Sequence, residues 1–247
     1  MSTLLALTAR EWKAFWYSPI AYGVGACFLF AQGWIFYLLM LVLNDPRVDP
    51  TLNMTQLFFG TFFYWLFILV MCPLLTMRTF SEEKRLGTLE VLLAAPVTDG
   101  QVVLSKFLGA WASFCVLWAS TAVYFLILRH YTALDWGPIF TGYVGTWLVG
   151  GVFVAVGVFA SSLTRHQAIA FFLGLVLMVF LFSVGFLNSF VRDPGWSAVV
   201  QYVSIVDHFR DFARGILDSR PVIFYLSLAL AALFLTARAI ADPRWRV

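Results

Sequence analysis

An all-α membrane protein with six transmembrane helices is the fold class this chain predicts, on three observations. Hydrophobic residues fill 62% of its 247 positions and charged residues only 12%, about half the charged share of a soluble globular domain. Apolar runs long enough to cross the bilayer, which takes roughly 20 residues of helix, recur near residues 19–43, 57–77, 102–128, 139–163, 167–190 and 221–240. No soluble core of this length buries so much apolar surface, so lipid must solvate most of the chain. Without an internal repeat or low-complexity tract, residues 1–247 read as a single membrane domain.

The elements follow in order. Ahead of the first span, Leu4, Leu5, Leu7, Trp12, Phe15 and Trp16 alternate with Arg10, Glu11 and Lys13 before Ser18-Pro19 breaks the run. This is the pattern of an interfacial helix with tryptophans at headgroup depth. No small-residue cleavage site follows, so the first span is expected to remain in the mature chain. Lys106, at the inner end of the third span, is expected to snorkel to the interface. Pairs such as Gly109 with Ser113, Gly157 with Ser161 and Ala170 with Gly174 allow close approach between helices. Cys27, Cys72 and Cys115 lie far apart within apolar runs and read as small hydrophobes.

An even number of spans places both termini on one side. The segments on that side carry Arg10, Lys13, Arg78, Lys84, Arg85, Lys106, Arg165, Arg238, Arg244 and Arg246 against six acids. The opposite side carries six basic and seven acidic residues. The excess of lysine and arginine marks the cytoplasmic face, so both termini are expected in the cytoplasm. A formal charge of +3 makes no case for nucleic acid.

Only two connections are long enough to hold structure of their own. In the outer one, residues 191–220, Phe209, Phe212 and Ile216 recur on one face while Arg210, Asp211 and Arg214 fall elsewhere, as in an amphipathic helix. Asp207 is the expected N-cap. The preceding Trp196 to Val206 run is too short to span and is expected to dip into the outer rim, so that Phe209, Phe212 and Ile216 would line an outer gate. A passive interfacial helix is the plainer alternative.

The inner connection packs charge and a helix break between two apolar segments. Thr79 and Glu82 have capping-box spacing, and Gly87 is suited to a left-handed helix stop. Thr88 can then cap a new helix with Glu90 in its first turn, and Pro96 closes it. The resulting helix, residues 89–95, places Leu89, Leu92 and Leu93 on one face. So small a leucine face builds no core but fills a groove on a partner, with Glu82, Glu83, Arg85 and Glu90 as rim charges that set register.

The block from Glu82 to Val97, centred on Gly87-Thr88-Leu89-Glu90, resembles the permease subunits of type-2 ABC exporters, in particular the branch related to gliding-motility and nitrous-oxide-reductase maturation permeases. Arg10-Glu11 ahead of Ser18-Pro19-Ile20-Ala21-Tyr22, and the outer Asp207-His208-Phe209 with Arg214-Gly215-Ile216, are similar to the same branch. The resemblance implies an N-terminal interfacial helix, six spans and outer re-entrant helices between the fifth and sixth. It makes Glu82, Glu83, Arg85, Gly87, Thr88, Leu89, Glu90, Leu92, Leu93 and Pro96 part of a cytoplasmic coupling helix docking on an ABC ATPase. It also implies an exporter in a prokaryotic inner membrane, a second permease, identical or not, and room for an accessory periplasmic subunit.

Energy supply points the same way. Ion-driven transporters place Asp, Glu, His or Arg inside the bilayer, and the interiors of these runs hold none. The chain also lacks a GxxxxGK[ST] phosphate cradle, so ATP and magnesium are expected on a separate ATPase, with no cofactor, metal or catalytic residue here. The rival is an intramembrane enzyme: Glu82-Glu83 is similar to the paired glutamates of prenyl-endopeptidase-like proteases. That pattern wants an arginine where this chain has Gly87; HExxH and GxSxG are absent too, and His130, His166 and His208 sit in separate connections. A structural membrane anchor of a complex is a third reading, distinguished by whether the chain stimulates a partner's ATPase.

Overall fold

The computed structural model describes residues 3–45, 47, 53–89, 97–187 and 194–241, and every regular element among them is helical. In chain order these are α1 Thr3–Trp16, α2 Pro19–Leu43, α3 Met54–Gly60, α4 Phe62–Thr76, α5 Ser81–Leu86, α6 Asp99–Ser120 and α7 Ala122–Leu128. They continue with α8 Trp136–Ser162, α9 Gln167–Leu187, α10 Pro194–Val203, α11 Ile205–Ala213 and α12 Ser219–Ala241. Among the described residues, six stretches are long and apolar enough to cross a membrane: Ala21–Leu43, Phe62–Leu86, Asp99–Leu128, Trp136–Ser162, Gln167–Phe186 and Ser219–Ala241. The chain is an integral membrane protein.

Two expected spans are interrupted, each at a threonine. The run expected over residues 57–77 divides at Thr61, whose extended backbone (φ −68°, ψ 144°) separates α3 from α4. The Thr61 hydroxyl donates back to the Leu57 carbonyl, closing the end of α3. The third span breaks at Thr121, whose hydroxyl donates to the Trp118 carbonyl at 2.7 Å and meets the Tyr143 hydroxyl at 2.8 Å. Such side chain to backbone bonds re-satisfy groups that a broken helix would strand in hydrocarbon. The fifth span was expected to reach residue 190; residues 188–190 lie outside the described residues.

Helix α8 is the axis of the bundle. It is apolar all round, the composition of a helix buried on every side, and 78% of its apolar stretch is buried against 17% for the first span and 22% for the fifth. Helices α4, α6, α9, α11 and α12 surround it. Small residues let them close in. A Cβ on Gly145 would lie 2.8 Å from Phe212, and one on Gly150 or Gly142 would collide with the rings of Phe114 or Phe59. Gly157 receives Thr76 of α4 in the same way.

Aromatic rings fill the space between α8 and its neighbours. Phe36, Phe58 and Phe125 meet edge to face with centroids 5.3–5.8 Å apart. Tyr64 stacks on Phe209 at 5.2 Å and meets Trp118 edge-on at 5.1 Å, within the spacing at which ring pairs add to area burial. The Tyr64 hydroxyl is satisfied by Thr146 at 2.8 Å, and that of Tyr225 donates to the Ile205 carbonyl at 2.8 Å.

Helices α10 and α11 form a pair between the fifth and sixth spans. The N-cap of α11 is Ser204, not Asp207: Ser204 Oγ accepts from the Asp207 amide at 3.1 Å. Asp207 instead stands in the first turn and pairs with Arg210 at 3.0 Å. Ser204 takes the role because its extended backbone (φ −72°, ψ 115°) is what separates α11 from α10.

Candidate coupling site

Phe209 and Phe212, expected at an outer gate, are buried: Phe209 packs on Tyr64 and Trp65, and Phe212 presses on Gly145 of α8. Thr141 Oγ1 donates to the Phe212 carbonyl at 2.7 Å. These rings fasten α11 to the bundle rather than line an opening. Ile216 is exposed beyond the end of α11, which closes at Ala213 with Gly215 at φ 90°.

Charge gathers at the other end of α8. From Gly145 to Ser161 the helix climbs about 24 Å at 1.5 Å per residue, and Ser161 holds the turn between α4 and α5. Its Oγ accepts from the Phe80 and Ser81 amides at 3.1 and 3.2 Å and donates to the Met77 carbonyl at 3.2 Å. The expected Thr79–Glu82 capping box does not form, because Ser161 already satisfies amides at the start of α5. The Thr79 hydroxyl turns back to the Thr76 carbonyl at 2.8 Å. A capping box forms one connection later, between Thr98 and Gln101 at the start of α6. Lys84 Nζ adds a second tie to α8, donating to the Ser162 carbonyl at 2.5 Å.

Helix α5 carries Glu82 and Glu83 in its first turn and Lys84 and Arg85 in its last, the order that its dipole favours. It stops at Gly87, which holds φ 69° as the sequence predicts. A new helical turn begins at Thr88, whose hydroxyl donates to the Glu83 carbonyl at 3.4 Å. Leu89 is buried within its own chain rather than offered to a partner. Glu90, Leu92, Leu93 and Pro96 lie outside the described residues. The exposed part of the segment is Arg85, Leu86, Gly87 and Thr88, with Glu82 half-buried and paired to Arg85 at 3.5 Å. Leu86, which the leucine spacing passes over, is the large apolar side chain left open, 63% exposed.

The centre of the site is Lys106. Instead of snorkelling, its side chain is 1% exposed, with Nζ 2.7 Å from Glu83 Oε1 and 3.4 Å from Glu11 Oε2. Phe80 lies beside the ammonium, 5.2 Å from ring centroid to Nζ. Arg10 pairs with Glu11 at 2.8 Å and reaches Glu83 at 4.0 Å. Glu83, expected as a rim charge for a partner, is thus committed within the subunit. One lysine joins α1, α5 and α6, and α1 can approach because a Cβ on Gly109 would lie 2.8 Å from Glu11 Cβ. A lysine this deep in an apolar helix demands a partner, which is the signal the sequence offered. Its partners, 95 and 23 residues distant, could not be chosen from spacing.

A cavity of about 290 Å³ lies against this cluster, lined on one wall by Glu11, Arg78, Glu82, Glu83 and Lys106 and on the other by apolar side chains of α1, α2 and α4. Among the described residues no group of three or more His, Cys, Asp or Glu could hold a metal. A family model described as ABC-2 family transporter protein matches residues 41–236. No curated protein matches the chain.

Proposed function

This chain belongs to the ABC-2 transporter family as a membrane permease, and on that premise we propose that it converts ATP hydrolysis by a separate ABC ATPase into movement of its spans. ATP and magnesium are bound by that partner. The permease docks it through an edge of exposed Arg85, Leu86 and Thr88 with half-buried Glu82 beside them, and Glu90, Leu92, Leu93 and Pro96 are assigned to the same docking segment. Leu89 and Glu83 anchor the edge from behind.

The observation that carries this reading is the fastening of α5. A segment that merely connected two spans would need no inward bonds, yet α5 and the turn before it are tied to α8 through Ser161 and Lys84, and to α6 and α1 through Glu83 and Lys106. A push on the edge therefore loads several elements together. Coupling of this kind is a difference in docking energy between two states, typically about 1–3 kcal/mol.

In this reading the chain acts as one membrane domain with both termini cytoplasmic, pairs with a second permease, and exports cargo across a prokaryotic inner membrane. Export and membership of the gliding-motility and nitrous-oxide-reductase maturation branch rest on the residues shared with that branch. The pair α10–α11 serves as an outer re-entrant cap that moves with α8. The test is ATPase activity of the partner with the permease in lipid nanodiscs. Leu86→Glu, which puts a charge on the exposed edge, should abolish both co-purification and stimulation while leaving the bundle folded. Full stimulation by that variant would overturn the docking assignment.

A further inference from the structure

We propose that the cavity beside Lys106 binds the headgroup of a phospholipid carrying a primary ammonium, that is, a phosphoethanolamine-type lipid. The cavity is amphipathic. Its apolar wall includes Ala21 and Val24 at the start of the first span and Leu74 and Leu75 near the end of α4. Its charged wall presents three carboxylates against two cations.

The valences left open on that wall define the ligand. Lys106 Nζ donates to Glu83 Oε1 at 2.7 Å and lies 3.4 Å from Glu11 Oε2, so its charge is already committed to these two carboxylates. Glu83 Oε2 is buried with no hydrogen-bond partner among the described residues, a state that leaves the desolvation of a charged oxygen uncompensated. Arg78 is exposed and forms no ion pair or hydrogen bond among the described residues. The wall thus lacks one N–H donor for a carboxylate and one anionic acceptor for a guanidinium. A protonated primary amine supplies the first, and the phosphate two carbons away supplies the second, in charge-assisted hydrogen bonds. A quaternary ammonium has no N–H to give Glu83, and a glycerol headgroup has no cation. The volume, about 290 Å³, admits a headgroup but not acyl chains, which would continue over the apolar wall into the bilayer. This inference stands apart from ATPase coupling, because it requires only that the cavity lie at a membrane rim.

The experiment reconstitutes the full-length permease in nanodiscs of equal parts phosphatidylethanolamine, phosphatidylcholine and phosphatidylglycerol. Retained lipid is then quantified by mass spectrometry after mild detergent extraction. Phosphatidylethanolamine should be retained at about ten times the level of phosphatidylcholine, the preference carried by one hydrogen bond to a charged group. Arg78→Ala, which removes an exposed side chain with no described partner and so leaves folding intact, should bring the enrichment close to the bulk ratio. Glu83→Gln should do the same, and Arg129→Ala, in the connection between α7 and α8, should change nothing. Bulk composition in the wild type, equal retention of phosphatidylcholine, or unchanged enrichment in Arg78→Ala would overturn the proposal. Displacement of the lipid by soluble glycerophosphoethanolamine at equal concentration would assign the cavity to a free zwitterion and overturn it too.

Discussion

Replacing Lys106 by methionine removes a positive charge while keeping a side chain of similar length and apolar character. The lysine side chain is 1% exposed, with Glu83 Oε1 at 2.7 Å and Glu11 Oε2 at 3.4 Å. Removing one member of a buried ion pair costs about 3–5 kcal/mol, because the remaining charge is left uncompensated. Here two carboxylates are orphaned, but their side chains keep 19% and 21% of their surface open, so water re-solvates them in part. The expected loss is therefore about 3 kcal/mol, the lower end of that range. The triple variant Lys106→Met, Glu11→Gln, Glu83→Gln leaves no orphaned charge. It should return to within about 1 kcal/mol of wild type, since a buried ionic cluster is worth little net against neutral residues of similar volume. Denaturant titration in mixed micelles, followed by the fluorescence of the ten tryptophans, measures both. A Lys106→Met curve that overlays the wild type refutes the reasoning. A triple variant no more stable than the single one refutes it equally, because the lysine would then matter only through packing of its stem.

Ser161→Ala leaves the Phe80 and Ser81 amides without their acceptor and should cost about 1–3 kcal/mol, measured in the same titration, with a matching fall in ATPase stimulation. Gly145→Leu drives a side chain into Phe212 and should destabilise by about 1–3 kcal/mol or more, as overpacking does; proteolysis between α10 and α11 should accelerate with it. Tyr64→Phe removes the buried bond to Thr146, yet hydrogen bonds between membrane helices average only about 0.6 kcal/mol, so its midpoint should barely move; a loss above about 2 kcal/mol would count against that picture. Gly87→Pro cannot adopt φ 69°, because the ring holds φ near −65°; ATPase stimulation should vanish with little change in extracted monomer yield, and normal stimulation would show that the turn is not part of the coupling path.

Only one turn of the site is legible in the sequence. Gly87 announced its left-handed turn because no other residue takes that backbone as cheaply. What failed were readings that assumed local bonding. Thr79 and Asp207 had the right spacing to cap, but Ser161 satisfied one helix start from α8, and Ser204 capped the other because the chain bends there. Leu89 turned inward and Leu86 outward, since a leucine repeat marks a common face without saying which body it faces.

Sequence alone determined that this is a six-span helical membrane protein with a charged break after its second span, because hydrophobic length and glycine stereochemistry are properties of short stretches. Tertiary structure alone decided that α8 is the axis, that Phe209 and Phe212 are buried, and that Lys106 is sealed between Glu11 and Glu83. Those outcomes depend on which helices touch. In a bundle where nearly every face is apolar, the choice rests on small-residue clefts and on a few buried charges whose partners lie tens of residues away.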